Sequence, residues 1–255
     1  VEKGRLKMDR KYSGITVGLF FLGLFLAAGM VVSAFVLSGT VEKVKLANQT
    51  ITVKGFAQKQ VTSDVATWSG QITVRAPELV EASKKLEQDR EKVIAYFEEH
   101  GVAPKNLALS GVVTMPRYKR TTEGFETNEI DHYELRQTVT LGSRDVQLVA
   151  ELARSSSRLL GEGVEFFAYA PQYFYSRLEE AKIELLGEAT KNAGQRALQL
   201  AEGSGGSVGA LRSASQGVFQ ITQPFSTDVE DYGMYDTSTI EKAIKAVVTI
   251  QYTIR

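Results

Sequence analysis

The chain has 255 residues, 43% of them hydrophobic and 24% charged, with 30 basic and 30 acidic side chains. That balance describes a folded protein and excludes disordered, collagen-like and low-complexity chains. The charge is uneven, net +3 over residues 1–37 and −3 over 38–255, so the body lacks the basic footprint of a nucleic-acid binder.

The first 13 residues are basic (Lys3, Arg5, Lys7, Arg10, Lys11), and from Gly14 to Leu37 no charge occurs. At about 1.5 Å per residue, a helix over 14–37 slightly exceeds the ~30 Å hydrocarbon core of a bilayer. The run is also longer than the ~7–15 residues of a signal-peptide core, so an uncleaved single-pass anchor is expected. Five basic residues precede the span, whereas only Lys43 and Lys45 lie in the 15 residues after it. That bias predicts a cytoplasmic N-terminus in the inner membrane, a linker over 38–48 and a domain over 49–255 on the periplasmic or extracellular side.

Within the domain, Thr50–Ala57 and Val61–Arg75 read as strands. In the second, Ala66, Trp68, Ile72 and Val74 alternate with Thr67, Ser69, Gln71 and Thr73, the pattern of a strand with one buried face. Pro77 opens a helix to about Glu99, closed by Gly101. A strand over Asn106–Arg117, a polar loop over 119–129 and a return strand over Ile130–Leu141 follow. Arg144–Leu160 reads as a helix with Val146, Val149, Leu152 and Leu159 inward. Val164–Ala170 reads as an interior strand and Arg177–Glu202 as the longest helix, with Ile183, Leu186, Ala193, Ala197 and Leu200 in register. Strands over Val208–Gln223 and Ile240–Ile254 close the chain, joined by a loop over 224–239. The order predicts an α+β domain with largely antiparallel sheets and three helices, in two lobes split near residue 143.

Several segments carry a resemblance. Ile51-Thr52-Val53-Lys54-Gly55-Phe56-Ala57 resembles the I-x-V-x-G-x-A/G strand of the SIMPL-domain family (domain of unknown function 541), and Val61–Ala66 its V-x-x-D-x-A strand. Tyr133–Leu141 before Arg144-Asp145 is similar to the family's return strand and helix start. Glu180-Ala181, Glu188-Ala189, Asn192-Ala193, Arg196-Ala197 and Leu200-Ala201-Glu202 fall as in its alanine-rich helix, with Gly205, Gly206 and Gly209 at the exit. The resemblance covers about residues 48–255. It implies a non-enzymatic exported protein, ring-like homo-oligomers in some members, and envelope or oxidative-stress roles.

Candidate sites are few. The chain has no cysteine, which removes disulfides, thiolate catalysis and zinc–thiolate sites. Gly203–Gly209 leaves a helix instead of leading into one, so it reads as a helix end and not a phosphate loop. Asp228, Glu230, Asp231 and Asp236 miss the fifth and twelfth positions of a calcium hand, where Tyr232 and Thr239 stand. His132 sits beside Asp131 and shares a strand face with Glu134, without an identifiable nucleophile; His100 reads as a helix-end residue. No catalytic, cofactor or metal residues are therefore expected. The aromatic run Phe166, Phe167, Tyr169, Tyr173, Phe174, Tyr175 is unusual, and Tyr173, Phe174 and Tyr175 are the predicted oligomer contacts. The expected function is a membrane-anchored structural or interaction protein forming a homo-oligomer. The alternative is an envelope protein that binds a small molecule or glycan near the aromatic run.

Overall fold

The computed structural model describes residues 19–38 and 49–254. The basic N-terminus, the first residues of the expected span and nearly all of the linker lie outside them. The described elements are helix α1 (Leu19–Ser38), strands β1 (Thr50–Thr62) and β2 (Val65–Ala76), and helix α2 (Leu79–Glu99). There follow β3 (Leu107–Leu109), β4 (Val113–Arg120), β5 (Glu126–Ser143), α3 (Val146–Ser155), α4 (Arg158–Gly161), β6 (Phe166–Ala168) and β7 (Gln172–Phe174). The chain ends with α5 (Leu178–Gly203), β8 (Val208–Gln216), β9 (Gln220–Thr222), β10 (Met234–Tyr235) and β11 (Glu241–Ile254). Apart from the parallel pair β9–β10, the recorded strand pairs are antiparallel, which gives the expected α+β class.

The chain divides into two compact units, and β1, α5 and β11 contribute to both. Residue 143, where a lobe boundary was expected, is the last residue of β5 inside the second unit.

The first unit comprises residues up to 55, 190–216 and 248–255. Helix α1 has a mean hydropathy of 2.5 and none of its window is buried; among the described residues it alone is long and apolar enough to cross a membrane. Strand β8 runs antiparallel to the end of β11, from Val248 opposite Gln216 to Ile254 opposite Val208. The start of β1 is tied to the same strand, as Gln251 Nε2 donates to Thr50 Oγ1 at 2.9 Å.

The second unit comprises residues 56–189 and 217–247. Its six-stranded sheet runs β3-β5-β2-β6, with β4 added on β5 and β7 on β2. The alternation read from sequence holds except at Thr73, which is buried with its neighbours Ile72 and Val74. Ala66, Trp68, Ile72, Val74, Leu135, Val139 and Leu141 form the core with Leu86, Val93 and Phe97 of α2 and Val149 and Leu152 of α3. Trp68 meets Phe97 at 5.6 Å and Phe166 at 6.1 Å between ring centroids. Gly70 is required here, because a Cβ would stand 1.9 Å from Phe166 Cζ. The hydroxyl of Tyr96 donates to the Leu152 carbonyl at 2.6 Å and so joins α2 to α3.

Several boundaries differ from expectation for identifiable reasons. The second helix is two, because the chain turns at Ser156-Ser157 and restarts for one turn, so the folded domain has four α-helices in place of three. The run 106–117 is interrupted between Leu109 and Val113, where Ser110 leaves the ladder to bind β5: its carbonyl accepts from Gln137 and its hydroxyl from the Thr138 N–H. The loop at 119–129 shrinks to residues 121–125, since both strands continue into a hairpin closed at Gly124, φ +90°. The run 208–223 breaks at Gly217 into β8 and β9. Strand β6 is a short edge strand, with Phe166 buried and Phe167 61% exposed. In α5 the buried stripe is Ala181, Leu185, Ala189, Ala193, Ala197 and Ala201, while Ile183 and Leu200 are exposed.

Candidate functional site

Strand β5 is longer than the sheet that supports it. Its residues 133–143 pair with β2, whereas residues 126–132 are recorded pairing only with β4. The result is a two-stranded ribbon beyond the sheet, with two shifts of register that add twist. Tyr118 and Ile130 stand directly opposite each other and are both exposed, as is Phe125 at the tip, 68% open to solvent. Lys119 pairs with Glu129 at 3.1 Å and Arg120 with Glu126 at 3.4 Å. Such exposed pairs contribute little, typically 0–1 kcal/mol.

At the root of the ribbon the same alternation gathers charge. His132, Glu134 and Arg136 share one face of β5, with Arg75 of β2 opposite Glu134 and Arg117 of β4 opposite His132. Glu134, only 4% exposed, accepts from Arg117 Nη2 at 2.9 Å and from Arg75 Nε at 3.0 Å, and lies 2.6 Å from Arg136 Nη2. Arg75 also donates to Glu165 at 2.5 Å. The bond from Arg117 does most to hold the Glu134 carboxyl down at about 2, against the opposing effect of burial, with Arg75 and Arg136 adding to it. Asp131 accepts from or pairs with His132 Nδ1 at 2.8 Å at the edge of this cleft, which has a volume of about 680 Å3. The sequence reading placed His132 and Glu134 on one face but missed the arginines, of which Arg75 and Arg117 come from other strands and Arg136 from β5 itself.

The aspartate of the V-x-x-D-x-A strand has a clear task. Asp64, in the β1–β2 turn, accepts from the Ser176 N–H at 2.7 Å and the Ser176 hydroxyl at 2.6 Å, just before α5 begins. Burial opposes its ionisation, but these bonds outweigh that and hold its carboxyl below the usual range. Lys242, 1% exposed, donates to the carbonyls of Asp236 and Thr239 at 2.7 and 2.6 Å, pinning the end of the 224–239 loop. Burial pushes the Lys242 ammonium below its ordinary range despite the nearby Asp236 carboxylate.

The remaining sequence candidates fall as follows. Tyr173 is buried in the core and its N–H donates to the Thr237 carbonyl; Phe174 and Tyr175 are half-buried, with Arg177 5.9 Å from the Tyr175 ring. Tyr173 is thus unavailable to a neighbour without unpacking, and the exposed aromatics nearby are Phe167 and Tyr169. His100 caps α2, its Nδ1 2.7 Å from the Tyr96 carbonyl. Gly205, φ +76°, and the Gly206 N–H bond to the Ala201 carbonyl end α5 as a helix cap. In the acidic loop, Asp228 accepts from Ser226, and Asp236 accepts from Ser238 and Thr239.

The chain is 24% identical over 166 residues to a protein of Edwardsiella ictaluri (strain 93-146) described as "Uncharacterized protein YggE". That alignment covers 64% of this chain and 66% of the relative, just under two thirds of its length. The family profile SIMPL, described as "Protein of unknown function (DUF541)", matches residues 51–252, nearly the whole domain after the apolar helix, and the chain belongs to that family.

Proposed function

We propose that this chain is a membrane-anchored, extracytoplasmic interaction module of the cell envelope that assembles with copies of itself and acts by contact, not by catalysis. The observation that carries this reading is the β4–β5 ribbon. A lone two-stranded hairpin is marginal in water, yet this one exposes Tyr118, Phe125 and Ile130. Its free β4 edge carries Pro116, Arg117, Lys119 and Arg120, residues that discourage the addition of another strand. The contact is therefore made by the apolar face and tip of the ribbon. A closed homo-oligomer covers that face on every subunit with one repeated contact. The anchor follows from α1, the orientation from the basic residues ahead of it, and the envelope and oxidative-stress setting from the family resemblance.

The test is the mass of the full chain in mild detergent, measured by light scattering. A multiple of the 28.0 kDa chain is expected. Replacing Tyr118, Phe125 and Ile130 together by Ser should reduce it to one copy, and a chain begun at Asn48 should keep the assembly. A monomeric full chain would overturn the reading.

A further inference from the structure

On the sheet face turned away from α2, β2 and β5 place small polar side chains side by side, Ser69 directly opposite Thr140. The outer edge of β2 is interrupted there. Strand β6 pairs with Gly70–Ile72 and β7 with Val65–Thr67, so Tyr169–Pro171 arch over the gap. Two bonds fix the arch: the Tyr169 N–H donates to the Ser69 carbonyl at 3.0 Å, and Trp68 Nε1 donates to the Tyr169 carbonyl at 2.9 Å. Under it lies a cleft of about 290 Å3 lined by Thr67, Trp68, Ser69, Thr140, Tyr169, Ala170 and Gln172.

No lining residue is charged. Among the described residues, no hydrogen bond uses the side-chain hydroxyls of Thr67, Ser69 and Thr140 or the amide of Gln172. At the rim the Tyr169 ring packs edge-on against Phe167 at 5.0 Å, and both rings are exposed, 43% and 61%.

From this geometry we infer that the cleft binds one pyranose ring of an uncharged glycan. Hydroxyls and amides both donate and accept, so they match a ligand whose own groups do the same. A charged ligand finds no counter-charge among the lining residues, and a purely apolar one would leave these groups unpaired when water is expelled. The C–H face of a pyranose packs on the electron-rich face of an aromatic ring, the role left to Tyr169. The volume falls just below the roughly 300–1,000 Å3 usual for ligand sites, which limits the bound portion to a single ring. This site is independent of the assembly reading and gives a location to the ligand-binding alternative.

Calorimetry reads binding directly, and Trp68, the chain's single tryptophan, follows movement of the arch through its Nε1 bond to the Tyr169 carbonyl. The full chain, in a polyoxyethylene detergent that carries no sugar, is titrated with the trimer of N-acetylglucosamine and, separately, with cellotriose, and followed by fluorescence and calorimetry. Saturable binding of at least one sugar is expected. Tyr169→Ala should weaken it at least about tenfold and Tyr169→Phe by less than about twofold. Thr140→Val, which preserves volume, should also weaken it, with near-ultraviolet circular dichroism confirming the fold of each variant. No saturable response to either sugar up to about 50 mM overturns the assignment. So does undiminished binding in both Tyr169→Ala and Thr140→Val.

Discussion

Replacing Glu134 by Gln isolates the charge cluster at the root of the ribbon. Three guanidiniums converge on a carboxyl that is 4% exposed. Its pKa falls from 4.5 to about 2 on folding, a difference equivalent to roughly 3 kcal/mol of native-state stability. A carboxyl depressed in the folded state stabilises fully above its unfolded pKa, and that stability drains away as pH falls through the folded value. The contribution is thus complete above about pH 5 and lost progressively towards pH 2. The other charged groups facing the cluster, Glu165 and the His132–Asp131 pair, remain in the variant. Glu134→Gln should lower the midpoint of thermal unfolding by about 6–12 °C at pH 7, given about 2–4 °C per kcal/mol for a domain of this size. Near pH 2.5 the difference from the parent should shrink to a small fraction of that. The assay is thermal unfolding of the full chain in nonionic detergent, followed by near-ultraviolet circular dichroism across pH 2.5–7. Equal losses at both ends of the range, or none at pH 7, would refute the reasoning.

Other perturbations test single contacts. Asp64→Ala removes two hydrogen bonds to Ser176, one of them to a backbone N–H, and should cost about 1–3 kcal/mol by chemical denaturation. Gly70→Ala drives a methyl into the Phe166 ring and should cost at least about 1–3 kcal/mol; Phe166→Leu in the same chain should recover part of it, read as the coupling in a double-mutant cycle. Lys242→Ala should leave the Asp236 and Thr239 carbonyls without their donor and make the 224–239 loop a preferred site of limited proteolysis.

What the sequence made legible follows from where its signals are strong. Strands β2 and β5 alternate between core and solvent along most of their paired length, so period-two reading found the core residues Trp68, Ile72, Leu135 and Val139. Helix α5 misled because its packing stripe is mostly alanine. Alanines four apart permit close approach but carry little apolar weight, so the expected register kept Ala193 and Ala197 of the buried stripe but added the larger Ile183 and Leu200, which are exposed. The ribbon was hidden because Lys119–Arg120 and Glu126–Glu129 are polar and the apolar residues of its exposed face, Tyr118 and Ile130, sit singly on each strand, so no buried side marks the stretch as paired. The arginine cluster was invisible for another reason. Arg136 stands two residues from Glu134 on the same strand, but Arg75 and Arg117 reach it only through the pairing of β2 and β4 with β5, and no local spacing records that register.

The central claim, that copies of the chain meet through the ribbon, is tested most directly at its tip. The chain has no cysteine, so Phe125→Cys supplies the single position at which a photo-crosslinker can be attached. Illumination of the labelled full chain in its membrane should give a product with the mass of two chains, and fragment analysis should join residue 125 of one copy to another copy. A labelled chain that remains monomeric, or that is joined only to a different protein, would contradict the account.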